Sequence, residues 1–223
     1  MVALENSDIF PAPRLRFSLV GFIAIACALV ALIAMAMHGF DENGMRLGAE
    51  MAWRFTFFVF FAALIAGPLG NLLPFAPMQM MGNRRRQFLW GFCASFAVYL
   101  AVLLVPNTIR PLSLSHPGMT AGMGMFIIFS SLLVAVIAYS VTPHAKEFLG
   151  NAPRRAILTL GIAYFWLAYA LTGLSRISGP HRPETFYGLS VSLMVTALLL
   201  RFADRFVRKW KMHRAETASA LAH

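Results

Sequence analysis

The sequence predicts an all-α integral membrane protein, a bundle of six transmembrane helices with both termini in the cytoplasm. Only 13% of its 223 residues are charged, against about 25% in a typical soluble domain. The 59% of residues that are hydrophobic fall into blocks of about 20 residues, the length that a helix needs to cross a bilayer. Lysine and arginine are unevenly shared between the connecting segments, which indicates the orientation.

Six apolar blocks follow one another along the chain, separated by polar or proline-bearing loops. Because backbone groups in lipid must be satisfied within the segment, each block is predicted to form a helix. The blocks are residues 17–37, 50–66, 87–105, 119–142, 156–175 and 185–200. They predict one transmembrane domain, residues 17–212, between two short cytoplasmic tails, residues 1–16 and 213–223.

Charge counts in alternate loops predict the orientation of the chain. One set of loops and both tails hold 14 of the 19 lysines and arginines, and the other set holds 5. Cytoplasmic loops are enriched in basic residues, so both termini are predicted to be cytoplasmic in a bacterial inner membrane. The net charge of +10 therefore favours a lipid partner over nucleic acid. The residues predicted to contact anionic lipid are Arg84, Arg85, Arg86, Arg208, Lys209 and Lys211.

An apolar segment between the second and third blocks, residues 67–83, contains three prolines. Proline removes a backbone donor and breaks helices, so this segment cannot be a straight span. We expect it to lie along the cytoplasmic surface of the membrane, as apolar interfacial segments do.

Two stretches of the sequence carry a family resemblance: GAEMAWRFTFFVFFAALIAGPL (residues 48–69) and NRRRQFLWGFCASFAVYL (residues 83–100). They resemble the ferric reductase-like transmembrane family, and within it the bacterial branch of haem-binding membrane subunits of periplasmic methionine sulfoxide reductase. In that branch a basic residue, here Arg54, opens one helix and an Arg-Arg pair starts the next. The likeness continues more weakly and covers residues 48–200 in all.

The resemblance implies haem ligands at positions where this chain has no histidine. The family's third-helix ligand falls at Tyr99, and its fifth-helix ligands fall near Thr159 and Thr172. No histidine occurs in residues 87–105 or 156–175, and haem needs axial ligands that are normally histidine. We therefore expect neither haem b nor another cofactor or metal. Aromatic residues are expected to fill the space instead: Phe88, Trp90, Phe92, Phe96, Tyr99, Tyr164, Phe165, Trp166 and Tyr169.

Two further features are candidates for contact with lipid or a partner. Arg54 either reaches lipid headgroups or binds an acidic group of a ligand, lipid, quinone or partner, and Glu50 lies one turn away to pair with it. Gly118 and Gly122 have the small-xxx-small spacing that lets helices approach closely, either within the bundle or against another subunit.

The sequence carries no constellation typical of a catalytic site. It has no phosphate-binding glycine loop, no Ser/His/Asp set and no pair of acidic residues within a span. The sequence therefore predicts a non-catalytic, haem-free structural or accessory subunit of a larger respiratory, photosynthetic or redox complex, with other membrane subunits as partners. Two alternatives stay open: electron transfer through haem or quinone held by non-standard ligands, and a small transporter.

Overall fold

A computed structural model of the protein describes residues 13–73, 75–109, 117–177 and 185–220. These ranges form eight helices and no strand. The helices are α1 (Pro13–His38), α2 (Glu42–Leu72), α3 (Ala76–Asn83), α4 (Arg85–Ile109), α5 (Pro117–Val141), α6 (Pro143–Leu149), α7 (Asn151–Ile177) and α8 (Thr185–Ala220).

Six of the helices in the described part of the chain are long and apolar enough to cross a membrane: α1, α2, α4, α5, α7 and α8. Their large apolar side chains stay exposed, as in Phe22 (68%), Ile128 (71%) and Leu160 (69%). Exposed apolar surface on this scale marks a lipid or partner contact rather than a water-facing surface. The predicted all-helical, multi-pass membrane protein is confirmed.

The ends of the second helix differ from the prediction. Helix α2 begins at Glu42, eight residues before the predicted start, and continues through Pro68 to Leu72. A proline in the last turns removes only one backbone donor, so the helix can pass it. The expected surface segment is thus shorter than residues 67–83, and its remainder forms α3. A Cβ on Gly70 would lie 3.0 Å from the Cα of Gly82, so these two glycines bring α3 against the end of α2.

The chain divides into two compact units, the first formed by residues 1–56 and 90–112. In this unit α1 packs on the first half of α2 and on most of α4. The sulfur of Cys27 lies 3.9 Å from the carbonyl oxygen of Ala52 and 3.7 Å from that of Ser95. Ala31 and Ala52 are fully buried. Small residues thus allow the three backbones to approach, as is typical of membrane helices.

The second unit comprises residues 57–89 and 113–223, and α7 packs there against α5 and α8. A Cβ on Gly161 would lie 2.7 Å from the Cδ1 of Ile137, and one on Gly173 would lie 2.7 Å from the Cγ2 of Val191. The indole of Trp166 donates a hydrogen bond to the carbonyl oxygen of Met194 at 3.0 Å. Close glycine contacts and hydrogen bonds between helices therefore fix α7 to its neighbours.

The orientation of the chain stays a prediction, and fusions can test it. A reporter fused after His38 should lie in the periplasm, and one fused after His213 should lie in the cytoplasm. A paired assay with alkaline phosphatase and a fluorescent protein at each site measures this. The same orientation at both sites would contradict the arrangement of spans.

Candidate functional site

Tyr99, the expected third-helix ligand position, lies in an aromatic cluster of the first unit. Its ring centroid is 5.3 Å from that of Trp53 and 5.6 Å from that of Phe96, and Phe96 lies 6.1 Å from Phe92. Tyr99 is 9% exposed, and Phe92 and Phe96 are each 1% exposed. These spacings are those of packed aromatic pairs. Tyr99 is therefore part of the interior packing.

Thr159 and Thr172, the expected fifth-helix positions, bond to their own helix. The Thr159 hydroxyl donates to the carbonyl oxygen of Arg155 at 2.8 Å, and the Thr172 hydroxyl donates to that of Ala168 at 2.7 Å. Each bond spans one helical turn, a common way for threonine to satisfy its hydroxyl in a helix. Neither the two threonines nor the packed Tyr99 fit a haem held by axial ligands at these positions.

A second aromatic cluster fills the interior of the second unit. Tyr169 stacks on Phe60 with ring centroids 5.5 Å apart, and it meets Phe57 edge-on at 5.3 Å. Phe165 lies 6.1 Å from Phe60. Phe57, Phe60, Phe165 and Tyr169 are all buried, at 3% exposure or less. We call this set the α7 aromatic cluster.

The aromatic residues that pack in the interior agree in part with those predicted from the sequence. Of the nine aromatic residues expected to fill the interior, Phe92, Phe96, Tyr99, Phe165 and Tyr169 are buried. The other four are half-buried. Phe57 and Phe60 of α2 were missed, although their spacing of three residues places both on one face of a helix.

Arg54, the candidate contact residue of α2, is paired with Glu50. One of its terminal nitrogens donates to the Glu50 carboxylate within α2. The two side chains are 20% and 31% exposed, so the pair is half-buried and its charges compensate each other. Gly118 and Gly122 belong to α5, but their surroundings lie outside the described residues.

A basic pocket of about 180 Å³ is lined by residues of four helices within the second unit. We call it the arginine pocket. Its lining residues are Gly67 and Pro68 of α2, Arg85 of α4, Leu158, Thr159 and Ile162 of α7, and Arg201, Asp204, Arg205 and Arg208 of α8. A Cβ on Gly67 would lie 3.5 Å from the Cδ of Arg85, so the arginine stem runs directly along α2.

Helix α8 supplies four of the five charged groups of the arginine pocket. Arg201, Asp204, Arg205 and Arg208 follow the spacing that places residues on one helix face. Asp204 accepts two hydrogen bonds from Arg208, at 3.0 Å and 2.9 Å. Among the described residues, no carboxylate lies within ion-pair distance of the other three arginines of the pocket. The pocket therefore carries a net charge of +3.

The sequence prediction found part of this pocket and missed its centre. Arg85 and Arg208 were expected to contact anionic lipid, and both line it. Arg201, Asp204 and Arg205 are not among the residues that the sequence predicted to contact lipid or a partner. Arg84, Arg86 and Lys209 are exposed and lie outside the pocket lining. The side chain of Lys211 lies outside the described part of the chain.

Side chains that could bind a metal ion are not clustered in the described residues. Within those residues, no three His, Cys, Asp or Glu side chains are grouped so as to hold a metal ion. His38 and His144 are exposed, and the ring of His38 lies 3.1 Å from the carbonyl oxygen of Ala34 in its own helix. Among the described residues, the candidate sites are therefore the two aromatic clusters and the arginine pocket.

The fold and its exposed apolar helices define the class of the chain, a multi-pass membrane protein. No protein-family model, curated protein or solved structure matches the sequence. The resemblance to the ferric reductase-like family accordingly stays a prediction from the sequence.

Proposed function

We propose that the protein is a non-catalytic, haem-free structural or accessory subunit of a larger complex in a bacterial inner membrane. The complex would be respiratory, photosynthetic or redox in kind. The protein would keep the helical frame of the ferric reductase-like family and lack its haem ligands.

This proposal rests on the structure around the three positions where the family is expected to have haem ligands. Tyr99 packs between Trp53 and Phe96, and the hydroxyls of Thr159 and Thr172 bond to their own helix. A frame that loses flat cofactors must refill the space, because an empty cavity costs stability. Aromatic packing at Tyr99 supports a frame that is stable without haem.

The charged groups of the interior support a non-catalytic role. Transporters and pumps usually carry charged side chains inside their spans. In α2 the half-buried Arg54 is already compensated by Glu50. The arginine pocket lies beside the predicted cytoplasmic surface, since its α8 residues follow the end of the predicted sixth span at Leu200.

Co-purification of variants tests the proposal. The Gly118→Leu/Gly122→Leu variant should release the protein from its complex while the helices stay folded and inserted. Leucine at the start of α5 would push a neighbouring helix away, and membrane helices depend on close approach to associate. Mild detergent extraction followed by mass spectrometry of the complex measures the loss.

Gly124 offers a matched control on the same helix. A Cβ there would meet nothing within 4 Å, so Gly124→Leu should fold normally and co-purify fully. Unfolding of the double variant would assign the two glycines to internal packing, and full co-purification would place the interface elsewhere. A wild-type protein that purifies alone from native membranes would contradict the accessory role itself.

Arg54 gives a second, independent variant for the same assay. Arg54→Leu should weaken the association if its charge meets a partner. Because that change leaves Glu50 without its cation, the neutral Arg54→Gln/Glu50→Gln variant is the control. If both variants co-purify like the wild type, Arg54 contacts lipid headgroups instead.

A further inference from the structure

We propose that the arginine pocket binds the phosphate of an anionic phospholipid headgroup that carries two negative charges. The lipid would be a phosphomonoester or a lipid with two linked phosphodiesters. This site is a discrete pocket with defined ligands, and it is independent of the protein's role in a complex.

The charge of the pocket favours an anion. Arg85, Arg201 and Arg205 approach the same space from α4 and α8. Like charges held together repel, and among the described residues only Asp204 opposes them, already in a two-point bond with Arg208. A bound dianion would offset most of the net charge of +3.

The side chains fit phosphate in particular. Guanidinium groups are planar forks that bind phosphate oxygens through two parallel hydrogen bonds. Asp204 holds Arg208 in a fixed orientation at one edge of the pocket, and Gly67 lets the stem of Arg85 lie flat along α2. Arg85, Arg205 and Arg208 reach the surface, Arg201 is half-buried, and Arg85 and Arg208 are each positioned by a neighbouring residue.

The surroundings of the pocket favour a lipid as the source of the phosphate. On the outward side of α8, Phe202, Phe206 and Trp210 are 58%, 72% and 50% exposed at intervals of four residues. Exposed aromatic residues at the end of a span are typical of the headgroup level of a membrane. Pro68, Leu158 and Ile162 add an apolar lining that suits the glycerol and ester region. Basic pockets between membrane helices bind such headgroups in other proteins.

Lipid titrations of the purified protein test the proposal. Wild-type protein in detergent is titrated with phosphatidate, cardiolipin, phosphatidylcholine and inorganic phosphate, and bound lipid is counted by native mass spectrometry. We expect one tightly retained dianionic lipid and no comparable retention of phosphatidylcholine. The Arg201→Gln/Arg205→Gln variant should bind the dianionic lipid about a hundredfold or more weakly than the wild type. Each lost arginine removes charge-assisted hydrogen bonds.

Arg84→Gln/Arg86→Gln is the matched control, since it removes the same charge from exposed residues beside the pocket. It should change affinity by less than about threefold, because neither side chain lines the pocket and their charges act only through screened long-range attraction. If both double variants lost lipid affinity equally, the binding would reflect only general electrostatic attraction between the basic surface and the lipid. That result would overturn the proposed site. Inorganic phosphate that binds as tightly as the lipids, or phosphatidylcholine that is retained equally, would overturn the lipid assignment.

A lysine variant keeps the test decisive if the glutamine variant fails to fold. Arg201→Lys/Arg205→Lys preserves every charge and loses both guanidinium forks, so binding should weaken about tenfold. Lysine variants that bind like the wild type would show that charge alone is sensed, which contradicts a built phosphate site.

Discussion

Phe165→Ala should lower the free energy of unfolding by about 3 kcal/mol. Phe165 is fully buried in the α7 aromatic cluster and contacts the ring of Phe60 at a centroid distance of 6.1 Å and that of Tyr164 at 5.2 Å. Lipid solvates apolar groups, so the loss comes from the cavity and the missing ring contacts. Unfolding of the purified protein by increasing dodecyl sulfate in mixed micelles measures it.

Phe202→Ala is the matched control, because it removes the same side chain from a 58% exposed position. Its effect should stay within about 0.5 kcal/mol, as is usual away from packed sites. A similar loss for both variants would mean that ring burial does not stabilise the second unit. No loss for Phe165→Ala would mean that the cluster can close around the cavity.

Purified protein should show no Soret absorption, even when the expressing cells are supplied with haem precursor. The three positions of the family's ligands hold a packed tyrosine and two threonines bonded to their own helix. Absorption spectra of oxidised and reduced samples, with haem extracted as the pyridine complex, give the stoichiometry.

The Tyr99→Phe variant keeps the ring and removes the only oxygen that could bind iron at that position. It should fold with the same stability as the wild type to within about 1 kcal/mol, because its packing against Trp53 and Phe96 is retained. A stoichiometric b-type spectrum in the wild type that disappears in Tyr99→Phe would instead establish Tyr99 as a ligand. That result would reverse the proposed haem-free role.

The existence of the six spans could be predicted from the sequence, but their ends could not. Lipid admits few backbone structures, so long apolar blocks leave little choice but helix. An apolar block in the sequence ends at the first charged residue, whereas the helix itself can continue into the headgroup region. Glu42 and Arg46 therefore lie inside α2, and α8 continues 20 residues past the predicted end at Leu200.

The candidate sites depend on contacts that no single segment reveals. The burial of Phe165 and Tyr169 could be expected from their bulk and their place in α7. Their contacts with Phe57 and Phe60 depend on the packing of α2, which no local sequence pattern reveals. The arginine pocket needs residues of four helices to meet. Only the face formed by Arg201 and its neighbours on α8 can be recognised from spacing alone.

The helical conformation of α8 sets the length of the stretch formed by residues 211–220. At about 1.5 Å per residue, the ten helical residues after Trp210 extend about 15 Å, against about 33 Å for an extended strand of the same length. The continuous helix thus holds this stretch at less than half of its extended length. Inserting four residues would lengthen it by about 6 Å and turn the residues beyond the insertion by about 40°.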